Sequence, residues 1–182
     1  GHVFQTETDT EVLLAAWTHW EEACLSKLTG MFAFVVLDRR CQTLAGARDA
    51  FGIKPLFYRH CAGDLHFASE IPALLRLWGG QPQPNYQQAY DYLVWGRYDD
   101  QEETFYAEIK HLLPGHWFRL SLEKPEILET NRWWWPSIEE RTDLTFAQAA
   151  EQLREIFLEN VRLHLRSDVP IGAALSGGID SS

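Results

Sequence analysis

The chain has 182 residues, 46% hydrophobic and 23% charged, a balance that supports a folded core and excludes disorder over most of its length. Its formal net charge of -10 argues against a nucleic-acid-binding surface, which would need clustered Lys and Arg to neutralise phosphates. No stretch approaches the roughly 18 to 20 apolar residues of a membrane span, no basic-then-apolar leader is present, and three scattered cysteines in no C-x-x-C pair fit a reducing cytoplasm.

Along the chain, Thr8-Asp9-Thr10-Glu11 has capping-box spacing and apolar residues follow over 12–17, so a helix should start there. A short helical stretch over 21–28 should end at Gly30. The apolar, β-branched run 31–38 reads as a strand buried on both faces. Three shorter strands over 43–48, 55–59 and 65–69 are separated by turn residues at Phe51-Gly52 and Ala62-Gly63-Asp64, which implies an antiparallel sheet. Residues 70–78 and 86–95 read as helices, and 116–120 alternates like a further strand.

From 123 to 143 the pattern dissolves into prolines, charges and the cluster Trp133-Trp134-Trp135. This stretch reads as a connector whose indoles should pack rather than stay in water. It divides the chain into 1–122, a linker 123–143 and a second domain over 144–182. In the second domain Thr145 and Gln148 form another capping box, and Phe146, Ala149, Ala150, Leu153 and Phe157 recur at helical spacing. Residues 170–175 read as a short buried strand that a Ser-Gly-Gly turn joins to a helix beginning near Asp180.

That turn carries the clearest chemistry. In Ser176-Gly177-Gly178-Ile179-Asp180-Ser181, adjacent glycines allow close backbone approach, and amides and hydroxyls at a helix N-terminus can donate to phosphate oxygens. The same residues also describe an ordinary strand-to-helix turn capped by Ser176 or Asp180, and residue chemistry alone leaves both readings open. The string resembles the SGG-x-DS signature of the ATP pyrophosphatases, or PP-loop enzymes, and lacks the Gly-Lys-Ser/Thr ending of the commoner phosphate loop.

Four upstream segments resemble class II glutamine amidotransferase domains in order and spacing. They are Phe4-Gln5-Thr6-Glu7-Thr8-Asp9-Thr10-Glu11, Leu28-Thr29-Gly30-Met31-Phe32-Ala33-Phe34, Arg48-Asp49-Ala50-Phe51-Gly52-Ile53-Lys54-Pro55-Leu56-Phe57-Tyr58 and Ala68-Ser69-Glu70. Joined to Arg166-Ser167-Asp168-Val169-Pro170-Ile171-Gly172 and the terminal loop, the set is similar to the glutamine-hydrolysing asparagine synthetases over essentially the whole chain. The resemblance implies an α+β fold, part of an N-terminal-nucleophile αββα sandwich, followed by the start of an α/β PP-loop adenine-nucleotide domain.

The resemblance also implies a carbon–nitrogen ligase that amidates aspartate with ammonia from glutamine, using ATP and Mg2+ and passing through aspartyl-adenylate. Leu175 would line the nucleotide pocket, and Ser176, Gly177, Gly178, Asp180 and Ser181 would cradle pyrophosphate. Asp9 falls where the family pairs a carboxylate with the α-ammonium of glutamine, although it also suits a helix first turn as an acid. The family's nucleophile is an N-terminal cysteine whose own α-amine is the base. Cys24, Cys41 and Cys61 cannot substitute, because their α-amines lie in peptide bonds, so they read as buried structural thiols and no catalytic residue is assigned. Both chain ends are expected to be cuts in a longer protein, with the piece inactive alone.

The segment from Arg48 to Leu56 reads as scaffold, with Arg48 and Asp49 pairing locally, and the histidines show no metal-ligand spacing. Expected partners are glutamine, aspartate and ATP, with neither nucleic acid nor membrane and with a homodimer left open. β-Lactam synthetases and lasso-peptide cyclases, which adenylate other carboxylates, and a non-catalytic homologue are the alternatives.

Overall fold

A computed structural model describes residues 3–98, 100–173 and 176–178. The chain divides into two compact units, Gly1–Pro136 and Ser137–Ser182.

In the first unit, helix α1 (Asp9–Trp20) begins where expected, but the capping box does not form, because Thr8 makes no side-chain cap. Glu11 reaches further back instead. Its Oε1 accepts from Gln5 N at 2.9 Å, and its Oε2 accepts from Thr6 N at 2.7 Å and Thr6 Oγ1 at 2.6 Å. Three donors just upstream outcompete the single amide that a box would satisfy. A 3-10 helix, Glu21–Lys27, follows and buries Cys24 and Leu25.

Among the described residues seven strands form two antiparallel sheets where the sequence suggested one. The first contains β1 (Ala33–Asp38), β2 (Thr43–Arg48), β6 (His116–Ser121) and β7 (Leu128–Arg132) in that spatial order. The second contains β3 (Phe57–Cys61), β4 (Asp64–Ala68) and β5 (Lys110–His111), with β3 central. Together with helices α2 (Ile71–Trp78) and α3 (Tyr86–Trp95), this is the expected α+β arrangement. Leu56, Tyr58, Leu112 and Phe118 make the shared core of the two sheets, with Val35, Leu44, Leu65 and Leu128 packed around them. In the β2–β6 ladder Phe118 stands opposite Gly46, and its ring fills the space a side chain at 46 would need.

Three sequence expectations need correction here. First, β1 is not buried on both faces; as an edge strand it buries Val36 but leaves Leu37 51% exposed. Second, the supposed connector 123–143 contains β7, a strand of mostly exposed polar residues that shows no hydrophobic period. Its tryptophans divide their roles. Trp133 stacks on Phe32 and donates its indole N–H to the Arg48 carbonyl at 3.0 Å, Trp134 lies against Phe51, and Trp135 is exposed with the Arg132 guanidinium 4.4 Å from its ring centre. Third, only Cys24 is a buried thiol; Cys41 and Cys61 are exposed.

In the second unit, α4 (Phe146–His164) opens with the anticipated capping box, Thr145 Oγ1 accepting from Gln148 N and Gln148 Oε1 accepting from Thr145 N. Its apolar stripe is present but covered by nothing among the described residues of this unit, with Phe146 91% and Phe157 64% exposed. The expected strand at 170–175 does not form over residues 170–173, which are irregular and exposed. Among the described residues no strand runs beside it, so its backbone lacks the ladder partners that define a strand.

Candidate functional site

An open cleft of about 610 Å3 lies in the first unit. Asp9 and Thr10 line it from the first turn of α1, together with Val12 and Leu13 one turn on. The segment 28–34 forms the wall that leads into β1, Lys54 and Pro55 contribute from the turn after β2, and Ser69 contributes from the end of β4. Each of the four segments quoted for the family resemblance thus supplies lining residues to one cleft, although they are spread from residue 4 to residue 70. Asp9 is exposed at this cleft, and Glu11 fixes the chain just ahead of it through the Gln5 and Thr6 contacts. A carboxylate beside a wall of Leu, Met and Phe can hold an ammonium group while the rest of an amino acid lies against apolar surface.

The turn between β2 and β3 is the best-braced part of the site. Asp49 is 1% exposed, and its carboxylate accepts four backbone N–H groups. Oδ1 takes Phe51 N at 3.1 Å and Ile53 N at 3.0 Å, while Oδ2 takes Lys54 N at 2.9 Å and Phe32 N at 3.2 Å. Arg48, also buried, works from the opposite polarity by donating Nε to the Lys54 carbonyl, Nη2 to the Gly52 carbonyl and Nη1 to the Leu112 carbonyl. His111 Nδ1 lies 3.3 Å from the same Nη1, and its Nε2 meets the Gln101 carbonyl. Gly52 has φ +66, and a side chain there would run into the Arg48 guanidinium and Pro114.

The scaffold reading of this stretch therefore holds, with Asp49 bonded to backbone amides and Arg48 to backbone carbonyls and the His111 ring. Sequence reasoning did not find the reach of Asp49 to Phe32. The D-x-x-G spacing of Asp49 and Gly52 signals a local turn, yet nothing local announces a partner 17 residues away.

The second candidate site is only partly described. Ser176, Gly177 and Gly178 lie in an exposed bend, whereas Leu175, Asp180 and Ser181 fall outside the described residues. Gly177 has φ +76 and open space where a side chain would stand. A left-handed, unobstructed glycine lets the main chain approach an anion, so these residues fit the phosphate portion of ATP. Asp9 and the Ser176–Gly178 bend belong to different units.

The chain belongs to the glutamine amidotransferase domain family, which matches residues 1–134. The asparagine synthase family matches residues 152–182. Among named relatives, glutamine-hydrolyzing asparagine synthetase 1 of Bacillus subtilis is 35% identical over 100% of this chain, and asparagine synthetase 3 of the same organism is 34% identical over 100%. Amidase chyE of Penicillium rubens is 33% identical over 98% of the chain. This chain spans 28%, 29% and 26% of those three proteins, respectively.

Proposed function

We propose that this chain is part of a glutamine-hydrolysing asparagine synthetase, with the glutamine site in its first unit and the ATP site beginning at the Ser176–Gly178 bend. The observation that carries the reading is the convergence of four sequence-distant segments on one cleft with Asp9 in its lining. Asp9 would act as counter-ion to the α-ammonium of glutamine, and the 28–34 wall would shed water from around the substrate's side chain. The backbone around Gly177 would hold the phosphates of ATP, with Mg2+ balancing their charge. ATP supplies the adenylyl group that activates the aspartate carboxylate, so that pyrophosphate leaves first and AMP leaves when ammonia attacks.

The test uses the full-length gene product, aspartate, Mg-ATP and glutamine labelled at the amide nitrogen. Labelled asparagine should appear with equal amounts of AMP and pyrophosphate. Glutamate accumulating without asparagine would overturn the acceptor, and no glutamine consumption would overturn the site.

A second reading keeps the cleft and changes the acceptor to another carboxylate. The observation behind it is that a relative named an amidase rather than an asparagine synthetase is 33% identical, against 35% and 34% for the Bacillus synthetases. Pyrophosphate release that aspartate fails to stimulate would select it. Either reading describes a cytoplasmic small-molecule enzyme. Among the described residues no helix is long and apolar enough to cross a membrane.

A further inference from the structure

We infer that Asp49 is a positioning residue for glutamine, because its buried carboxylate adds side-chain ties between two walls of the cleft that the β1–β2 ladder already brings together. The inference rests on the glutamine reading of that cleft and adds a residue that does not line it. Phe32 belongs to the wall leading into β1, and Lys54 belongs to the turn after β2. One oxygen, Oδ2, accepts from both of their amides, at 3.2 and 2.9 Å. The main chain repeats the tie, since Asp49 N donates to the Phe32 carbonyl at 2.8 Å. Oδ1 meanwhile holds Phe51 N and Ile53 N, which fixes the turn that carries Lys54 and Pro55. A carboxylate is the only side-chain group of this size that offers four acceptor positions and no donor.

Two features separate this from ordinary core packing. All four donors are backbone N–H groups, so Asp49 sets main-chain positions rather than filling volume. The two segments it joins both line the cleft. Asparagine has nearly the same volume, but it would present an NH2 group to two of the four amides whichever way it turned. Either the contacts with Phe51 N and Ile53 N or the side-chain contacts with Phe32 N and Lys54 N would then be lost.

The experiment measures glutamine-dependent and ammonia-dependent asparagine synthesis by the full-length Asp49→Asn protein. The glutamine KM should rise by about tenfold or more, the equivalent of one or two lost charge-assisted bonds, while glutamine kcat changes little. Ammonia-supported synthesis should stay within about twofold of wild type, which also reports that the variant is folded. A KM within about twofold of wild type in a protein that hydrolyses glutamine would overturn the inference alone. A wild-type protein that consumes no glutamine would overturn the site reading beneath it. A second measurement does not depend on the variant folding: amide hydrogen exchange of the wild-type protein with and without glutamate, the product of the cleft. Phe32 and Lys54 should gain protection together, and protection of one without the other would overturn the tie.

Discussion

Substituting Gly46 by alanine tests whether the inter-sheet core is as closely fitted as the Gly46–Phe118 pair implies. A methyl group at 46 would come within 2.5 Å of Phe118 Cζ and 3.1 Å of the Phe34 carbonyl oxygen. Carbon atoms rest at about 3.5 to 4.0 Å, so the ring would have to retreat by about 1 Å. It has little room to do so, because Phe118 is fully buried among Leu56, Tyr58 and Leu112. Overpacking of this kind costs about 1 to 3 kcal/mol.

Guanidinium titration followed by tryptophan fluorescence is the assay. All 8 tryptophans fall at or before residue 135, so the signal reports the first unit without contribution from the second. The variant Phe118→Leu should also be destabilised by itself, through lost packing. Combined with Gly46→Ala it should give a total smaller than the two single costs by about 1 kcal/mol, since the smaller side chain makes room for the methyl. A Gly46→Ala protein within about 0.5 kcal/mol of wild type, or strict additivity in the double variant, would refute the close fit.

Three further outcomes follow from the same geometry. In the full-length protein, Asp9→Asn should raise the glutamine KM by roughly 10- to 100-fold, the scale of one charged hydrogen bond, and leave ammonia-dependent synthesis intact. Steady-state kinetics with the two nitrogen sources check it. Gly177→Ala places a side chain at φ +76 and should slow ATP-dependent pyrophosphate release with either nitrogen source by roughly fivefold or more, whereas Gly172→Ala should not. The Tyr58 phenol is held protonated above its ordinary pKa of 10.0, first by burial and then by the Glu102 carboxylate that accepts its hydroxyl at 3.1 Å. The unfolded chain gives up that proton more readily, so the contribution to stability is whole below about pH 10 and is lost as pH rises above it. Denaturant midpoints between about pH 9 and 11 should fall more steeply for wild type than for Tyr58→Phe.

What could be read from the sequence tracks the range of the interactions involved. The Thr145–Gln148 box forms because its donors and acceptors lie within three residues of each other on an otherwise simple helix start. The same spacing at Thr8–Glu11 fails because Gln5 and Thr6 offer Glu11 better partners, which a search for the motif alone does not weigh. Strand β2 and helices α2 and α3 were legible from periodicity and turn residues. Strand β7 was not, because Leu-Glu-Thr-Asn-Arg lies on an outer edge and shows solvent its polar side chains.

At the site, the membership of Asp9 in a cleft could be anticipated from motif order. The bracing by Asp49 could not, because it depends on which strand lies beside which. The segment 170–173 shows the converse: residues with strand character stay irregular where no strand among the described residues runs beside them.

The position of Trp133 determines where this amidotransferase unit can be excised or transplanted. A cut after residue 122 would strip β7 from β6, turning an interior strand of the sheet into an open edge prone to pairing with other chains. It would also remove the indole that covers Phe32 and satisfies the Arg48 carbonyl, next to the turn on which the cleft depends. A cut after Pro136 keeps the strand, the indole and the contacts of Trp133 N and Trp134 N with the Gly115 carbonyl, so a chimera joined there retains the sheet edge and the cover over Phe32.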